Sequence, residues 1–361
     1  MKPQRYIALD VLRGFTVALM ILVNNPGSDK AFAPLHHAPW NGCTPTDLVY
    51  PFFLFCVGAA ITFAFARHDF KPGARLSWKI LKRGLLIFAV GLFLNLLPHA
   101  FSGEGLSHLR IFGVLQRIAI CYVCASFLIL WLRSPRKILA AAGVLLVAHH
   151  LILLTAGEGW STLEGNVERS FNLLLLGPDH LYKGYGIPFD PEGLVGTLSS
   201  CATVLLGFLA GSIAYENDNK ARASTKLLIG AAACLALGRI WSLWLPINKA
   251  LWTGSYALYT AGWAALILAG ATWLIDVKGY VKPFAPLRAF GMNPLLLYVL
   301  AEGTAIVCGY TGASWWYYSH VCTAVCGGDN GIASLFFSFT LIFLLWIVAW
   351  ILYKKKIVIK L

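Results

Sequence analysis

The chain has 361 residues, of which 58% are hydrophobic and only 12% are charged. Soluble domains are about a quarter charged, so this composition excludes an ordinary soluble fold and indicates burial in a membrane. The formal net charge of +13 follows from basic residues that flank apolar segments, and no nucleic-acid partner is expected. The nine cysteines lack the CxxC or Cys/His spacing of a zinc site, so no metal is expected.

The hydropathy pattern predicts an all-α transmembrane bundle. A span needs about 20 mainly apolar residues, and ten segments meet this requirement, which form a single predicted domain over residues 1–361. The third is short and is expected to extend back through its basic flank. The predicted spans are 7–24, 47–66, 84–98, 113–132, 138–155, 194–215, 227–246, 251–274, 288–307 and 332–353.

The distribution of Lys and Arg predicts the orientation. With the N-terminus in the cytoplasm, most of the 29 basic residues fall on the cytoplasmic side, as the positive-inside rule requires. An even number of spans then places the C-terminus there too. The last external segment contains Cys308, Cys322 and Cys326, which either form a disulfide or stay free thiols. The external segments are 25–46, 99–112, 156–193 and 308–331.

Two ionisable residues lie in the cytoplasmic half of the first span. Asp10 and Arg13 are three residues apart and therefore share one helical face. Charged residues at membrane depth are costly and usually face a bundle interior. They either form an ion pair that anchors the helix or line a cytoplasmic entrance for a polar ligand.

The external end of the first span and the loop after it concentrate polar side chains. Asn24 ends the span, His37, Trp40 and Asn41 follow, and Asp47 opens the second span. Asp47 suits the helix N-terminus as a capping and dipole partner. His37 is either a solvated loop residue or a general base, since histidine titrates near neutrality.

Three further polar groups stand next to predicted spans, either as interfacial caps and turns or as ligand-binding groups. Arg117 lies at the start of the fourth span. Asp190 and Glu192 precede the sixth span, and Asn248 and Lys249 precede the eighth. Arg239 and Glu302 lie deeper, where each could pair with the other or elsewhere in the bundle.

The ordered motifs resemble those of the heparan-α-glucosaminide N-acetyltransferases and their bacterial relatives, a family of transmembrane acyltransferases. The resemblance covers nearly the whole chain. The matching motifs are LDVLRG at 9–14, VN at 23–24, HAPWNG at 37–42, DLVYPFF at 47–53, GVLQR at 113–117, DPEG at 190–193, PINKALW at 246–252 and GMNP at 291–294.

The resemblance implies an enzyme that moves an acetyl group from cytoplasmic acetyl-CoA to a sugar amine across the membrane. His37 matches the family's active-site histidine, and Asn24 matches its polar partner. Asp47 is expected to hold the imidazole tautomer, and the Asn24 or Asn41 amide could serve as an oxyanion donor. Trp40 is expected to be a stacking platform for the sugar.

The remaining site residues are predicted as two sets. The residues predicted to bind acetyl-CoA are Asp10, Arg13, Arg117 and Asn293. The residues predicted to bind the acceptor are Trp40, Asn41, Asp190, Glu192, Asn248 and Lys249.

The resemblance also sets the expected acceptor, partners and location. The large luminal domain of the animal enzyme has no counterpart in this sequence, so a glucosamine-type amino sugar is expected rather than a heparan-like polymer. The expected partners are acetyl-CoA, this acceptor and membrane lipids, in the inner membrane of a bacterium, and the sequence allows a homodimer.

Several alternatives stay open at this stage. His37 could carry the acetyl group as an acetyl-imidazole or act only as a base in direct transfer. A sugar O-acyltransferase of the cell envelope would use the same base and oxyanion donors. A secondary transporter for sugars or amino sugars would also have many spans with charges at membrane depth.

Overall fold

The computed structural model describes residues 6–103 and 105–359, and within them the chain folds into helices without a β-strand. The predicted all-α class is therefore confirmed. Two π-helical segments, Thr272–Val277 and Tyr318–Cys322, extend or join the α-helices. The α-helices are α1 Ile7–Asn24, α2 Val49–Ala66, α3 Ala74–Leu96, α4 His99–Ser102, α5 Val114–Leu132, α6 Pro135–Leu154, α7 Val167–Leu176, α8 Leu194–Glu216, α9 Lys220–Trp241, α10 Gly254–Ala271, α11 Ala285–Met292, α12 Pro294–Tyr310, α13 Ala313–Tyr317, α14 Thr323–Cys326 and α15 Gly331–Lys354.

Nine helical segments of the described chain are long and apolar enough to cross a membrane, and a bent pair makes a tenth. The third segment begins at Ala74, as its basic flank suggested, and continues to Ser102. The predicted span over 288–307 is bent, because α11 and α12 meet at an angle of 70°. The break falls at Asn293-Pro294, where proline supplies no backbone N–H and disfavours helix in the residue before it.

The first and last long helices run antiparallel. Ser338 near the start of α15 donates to the Asn25 carbonyl, just beyond the end of α1, at 2.7 Å. At the opposite end, Asn293 bonds to the backbone of Ile357 and Ile359 at 3.0 and 2.8 Å. The start of α1 and residues 357–359 thus lie at the same end of the bundle, here called the terminal end. The opposite end, with segments 25–46, 156–193 and 308–331, is called the loop end.

Helices α1 and α11 are in backbone contact near the terminal end. A Cβ atom added at Gly291 would lie 1.7 Å from the Asp10 carbonyl oxygen, and one added at Gly14 would lie 1.7 Å from the Leu287 carbonyl oxygen. Only glycine permits this approach, as in the small-residue interfaces of other membrane helices. At the terminal end, α1 and α11 are therefore packed directly against each other.

The segments at the loop end have structure of their own. Helix α7 lies within segment 156–193, and its N-cap Asn166 accepts from the Arg169 backbone N–H at 2.8 Å. Segment 308–331 is mostly helical, through α13, Tyr318–Cys322 and α14. All nine cysteines are free thiols. Of the two predicted states for Cys308, Cys322 and Cys326, the structure therefore has the free thiols and not a disulfide. The loop end thus offers an ordered surface on which side chains can be held in place.

Candidate active site

The centre of the site is a hydrogen bond between His37 and Asp47. Asp47 is 1% exposed, and its Oδ1 accepts from His37 Nδ1 at 2.6 Å. Its Oδ2 accepts from the backbone N–H groups of Ala38 and Thr44, each at 3.0 Å, and from the Thr44 hydroxyl at 3.1 Å. One carboxylate therefore combines the two predicted roles: Oδ2 caps the turn that opens α2, and Oδ1 holds the imidazole.

The contact with Asp47 determines which ring nitrogen of His37 is basic. A carboxylate only accepts hydrogen bonds, so the Nδ1 of His37 carries the proton. The Nε2 of a neutral imidazole is then left with its lone pair. The His37 side chain is 53% exposed and lines the pocket described below.

Lys249 lies against this pair from a separate loop. Its Nζ is 3.5 Å from Asp47 Oδ1 and 3.1 Å from His37 Nδ1. Because the Nδ1 proton is already directed to Asp47, the ammonium is electrostatically paired with the carboxylate, and its Nζ also lies 3.5 Å from His37 Nε2. Burial lowers the pKa of Lys249 below its ordinary value, although Asp47 opposes this effect.

A pair of asparagines fixes the Lys249 loop to the His37 loop. Asn248 Nδ2 donates to Asn41 Oδ1 at 3.1 Å, and the Gly42 N–H donates to the Ile247 carbonyl at 2.7 Å. The Asn248 Oδ1 also accepts from the Leu251 N–H at 2.8 Å, which closes the turn after Lys249. Both amides are engaged in joining the two loops, and a role for them in binding the acceptor stays a prediction.

Asn24, at the end of α1, is held by a residue of α12. Its Nδ2 donates to Glu302 Oε1 at 3.0 Å. Because the carboxylate fixes the amide orientation, the Asn24 Oδ1 and one N–H remain for other partners. Glu302 does not pair with Arg239, and its hydrogen bond with Asn24 was not among the predicted contacts. The available signal was an acidic residue inside an apolar span.

Arg110 organises the two predicted carboxylates of segment 156–193. It donates to both oxygens of Asp190 at 2.9 and 2.8 Å and to Glu192 Oε2 at 2.5 Å. Burial alone would lower the pKa of Arg110, but the two carboxylates outweigh it and raise this pKa. Asp190 is fully buried and Glu192 is 9% exposed. Asp190 therefore positions Arg110, and Glu192 is the carboxylate that reaches the pocket described below.

Arg117 lies apart from the other predicted acetyl-CoA residues, and its binding of acetyl-CoA stays a prediction. Arg117 is fully buried in the first turn of α5, at the loop end. Its guanidinium donates to the Gly193 carbonyl at 2.8 Å, lies 3.4 Å from Glu168 and stacks over Trp252. It is separated from the other three because α5 and α8 both begin at the loop end.

The other three predicted acetyl-CoA residues lie together at the terminal end. Arg13 Nη1 is 3.4 Å from Asp10 Oδ1, and the Arg13 side chain is 23% exposed. Asn293 uses both atoms of its amide to hold the backbone of residues 357–359. Their binding of acetyl-CoA stays a prediction.

Trp40 joins the His37 loop to segment 156–193. Its indole N–H donates to the Ser161 carbonyl at 2.7 Å. Its ring meets Tyr185 and Phe189 edge to face, with centroids 5.9 and 5.8 Å apart. These contacts position the ring rigidly, and its use as a stacking platform stays a prediction.

These side chains surround a pocket of about 180 Å³, here called the His37 pocket. Four of the predicted site residues reach it, from α1, two loops and the segment before α8. Tyr50 and Tyr298 on its wall were not predicted. The lining residues are Met20, Asn24, His37, Thr46, Val49, Tyr50, Phe53, Val114, Glu192, Lys249 and Tyr298.

The fold and the pocket define a polytopic membrane protein with a histidine–carboxylate pair, a lysine and an amide at one end of its bundle. The family described as "Heparan-alpha-glucosaminide N-acetyltransferase, catalytic" matches residues 5–245. The chain belongs to this family of transmembrane acetyltransferases.

Two curated relatives align with nearly all of the chain. The heparan-alpha-glucosaminide N-acetyltransferase of Homo sapiens is 28% identical over 413 aligned residues, which cover 98% of this chain and 60% of the relative. The enzyme of the same name from Mus musculus is 27% identical over 412 residues, with the same coverage. The chain thus spans about 60% of the length of the curated relatives that it matches.

Proposed function

We propose that the protein is a transmembrane acetyltransferase that moves the acetyl group of cytoplasmic acetyl-CoA to the amine of a glucosamine-type sugar at the loop end. The observation that carries the proposal is the basic Nε2 of His37, beside a pocket that also receives Asn24, Glu192 and Lys249. The terminal end would face the cytoplasm of a bacterial cell, as the positive-inside rule predicts. Family membership supports the choice of acetyl-CoA as donor.

The pocket residues suit each stage of an acyl transfer. Glu192 would attract the ammonium form of the acceptor, which loses one proton to water to become the amine. His37 Nε2 would take the second proton as this amine attacks the thioester carbonyl. Asp47 would stabilise the imidazolium that forms, and general base catalysis of this kind contributes about 10²–10⁴-fold. Lys249 and the free N–H of Asn24 could stabilise the oxyanion. The carbon–sulfur bond then breaks, and the His37 proton passes to the CoA thiolate.

The size of the His37 pocket bears on where acetyl-CoA would sit. Pockets for drug-sized ligands usually measure about 300–1,000 Å³, whereas this pocket measures about 180 Å³. It suits the reacting groups of two substrates rather than a nucleotide. We therefore propose direct transfer, with the nucleotide part outside the pocket and the thioester directed toward His37.

The alternative is an acetyl-imidazole intermediate on His37. Incubation with radiolabelled acetyl-CoA alone distinguishes the two routes. Direct transfer predicts no labelled protein after rapid acid quenching. A label that is trapped on the wild-type protein and lost from His37→Ala would replace direct transfer with the covalent route.

The proposed function is tested by measuring CoA release from purified protein supplied with acetyl-CoA and glucosamine. His37→Ala should reduce release by at least about 10²-fold, because the base is lost. The matched control is His36→Ala, since His36 bonds to the Ala31 carbonyl at 2.9 Å and does not line the pocket. Full turnover by His37→Ala, or equal losses in both variants, would contradict the assignment.

A further inference from the structure

A second pocket of about 290 Å³ lies at the loop end, beside the His37 pocket. We call it the Arg239 pocket. The two pockets share the joined loops as a wall, because Cys43 and Ile247 line this one while Thr46 and Lys249 line the other. Its lining residues are Gly42, Cys43, Arg239, Ser242, Pro246, Ile247 and Tyr259.

Arg239 is the charged residue of this pocket and lies in the last turn of α9. Arg110 and Arg117 at the same end each have carboxylate partners. Within residues 6–103 and 105–359, no carboxylate lies within ion-pair distance of the Arg239 guanidinium. A charged group near the membrane is costly unless it reaches headgroups or a ligand. Its partner is therefore to be sought outside the chain.

The surroundings of Arg239 face outward and are apolar. Only 28% of the most apolar 18-residue stretch of α9 is buried inside the bundle. Ile240, Leu243 and Trp244, just beyond Arg239, are 53%, 77% and 68% exposed. Exposed tryptophan beside aliphatic side chains is typical of a membrane–water interface. A ligand that reaches Arg239 from this side would carry an apolar anchor.

From these observations we propose that the Arg239 pocket binds the phosphate of a lipid-linked acceptor whose amino sugar extends into the His37 pocket. Guanidinium groups form paired, charge-assisted hydrogen bonds with phosphate, and Tyr259 also lines the pocket. The Ser242 hydroxyl donates to the Arg239 carbonyl at 2.6 Å. Ile247 lines the Arg239 pocket and Lys249 lines the His37 pocket, and only Asn248 separates these two residues along the chain. The inference rests on the proposed function, because it names the acceptor of the same reaction.

Three acceptors distinguish a lipid-linked sugar phosphate from a free one and from a sugar without phosphate. They are glucosamine, glucosamine 1-phosphate, and a long-chain alkyl ester of glucosamine 1-phosphate in lipid nanodiscs. For the wild type, KM should be lowest for the alkyl ester. Arg239→Gln should raise KM for both phosphate-bearing acceptors by about 10- to 100-fold, the usual effect of a hydrogen bond to a charged group. It should change KM for glucosamine less than about twofold.

The control variant is Arg136→Gln, which removes an exposed arginine at the start of α6 without touching either pocket. It should leave all three KM values unchanged. Equal KM values for Arg239→Gln and the wild type would overturn the phosphate site. A wild type that uses glucosamine 1-phosphate as well as its alkyl ester would overturn the lipid-linked acceptor.

Binding of radiolabelled glucosamine 1-phosphate, measured without acetyl-CoA, separates this inference from the proposed function. Binding that depends on Arg239 in a protein that never releases CoA would refute only the acetyl transfer. Acetylation of glucosamine with no effect of Arg239 on phosphate-bearing acceptors would refute only the phosphate site.

Discussion

The two ends of the bundle differ in how their predicted site residues are held. At the terminal end, α1 and α11 meet at Gly14 and Gly291 with their backbones in contact, and the Asn293 amide is occupied by residues 357–359. At the loop end, segments far apart in sequence bring His37, Asp47 and Lys249 around a pocket.

This difference indicates two different tasks. Direct helix packing makes the contact between α1 and α11 at the terminal end rigid, because close-packed interiors do not deform continuously. The loop end keeps a half-exposed imidazole within reach of several polar groups. We therefore expect substitutions around the His37 pocket to change chemistry, and substitutions of the glycines at the α1–α11 contact to change stability.

The largest expected effect follows from Asp47→Asn. The amide keeps the size of the carboxylate but can direct an N–H toward His37, which favours the tautomer with its proton on Nε2. Without a basic Nε2, kcat should fall on the order of 10²–10⁴-fold. Steady-state CoA release measures this loss.

The control for this substitution is Asp329→Asn. Asp329 is also at the loop end, where it bonds to Ser28 and Tyr318, but it does not line the His37 pocket. Its kcat should stay within about twofold of the wild type. If Asp47→Asn retained wild-type kcat, the chemical role assigned to the loop end would be wrong.

The next effect tests the terminal end through Gly291→Ala. The added Cβ would lie 1.7 Å from the Asp10 carbonyl oxygen, so α1 and α11 must separate. Overpacking of this kind costs about 1–3 kcal/mol. Thermal unfolding in detergent should show a lower Tm, while kcat per folded molecule stays close to that of the wild type.

Gly303→Ala is the matched control, since no heavy atom lies within 4 Å of the Cβ it would add. Its Tm should equal or exceed that of the wild type, because alanine favours a helix interior over glycine by about 1 kcal/mol. Equal Tm values for the two variants would show that α1 and α11 are not in close contact.

The sequence supported most of the fold but only part of the site. Apolar length predicted the spans well, because it reflects membrane thickness, but not the bend at Asn293. Resemblance predicted His37, Asn24 and Asp47 as neighbours. Contacts between distant segments, such as Glu302 with Asn24, have no local pattern, so they became visible only when the helices were assembled.

Arg117 was recognised from its sequence motif, but its position in the bundle could not be predicted from that motif. It was predicted to bind acetyl-CoA, and its pairing with Glu168 and Gly193 is determined by how α5 packs against α8. Burial raises the pKa of Glu168 to about 8, although Arg117 opposes this effect. Motif membership indicated an important residue without indicating at which end of the bundle it acts.

A smaller effect concerns the pH dependence of the loop end. Burial lowers the pKa of Lys249, so Lys249 should lose its charge at a lower pH than an exposed lysine. If the ammonium stabilises the oxyanion, kcat/KM should then fall as the pH rises through this pKa. Lys249→Arg stays charged at any accessible pH. The alkaline limit, meaning the pH at which kcat/KM begins to fall, should therefore lie at least about one pH unit higher in this variant than in the wild type.

The comparison requires the same acceptor in every profile, so that titration of the acceptor amine cancels. Lys183→Arg is the control, because Lys183 is an exposed lysine 3.7 Å from Asp179 and outside the pocket. It should reproduce the wild-type profile. Identical alkaline limits for Lys249→Arg and the wild type would remove Lys249 from the chemistry of the loop end.

The smallest expected effect comes from Glu302→Gln, which retains a hydrogen-bond acceptor for Asn24 but removes the charge that fixes the amide orientation. Because the Gln and Asn amides can pair in either direction, Asn24 should present its free N–H to the pocket only part of the time. One hydrogen bond contributes about 0.5–1.5 kcal/mol, so kcat should fall about two- to tenfold with KM unchanged.

The control is Glu158→Gln, because Glu158 is exposed and does not line the pocket. This control should leave kcat unaltered. A lower Tm for Glu302→Gln with wild-type kcat per folded molecule would mean that Glu302 supports only the fold, and Asn24 would then need no partner to act at the loop end.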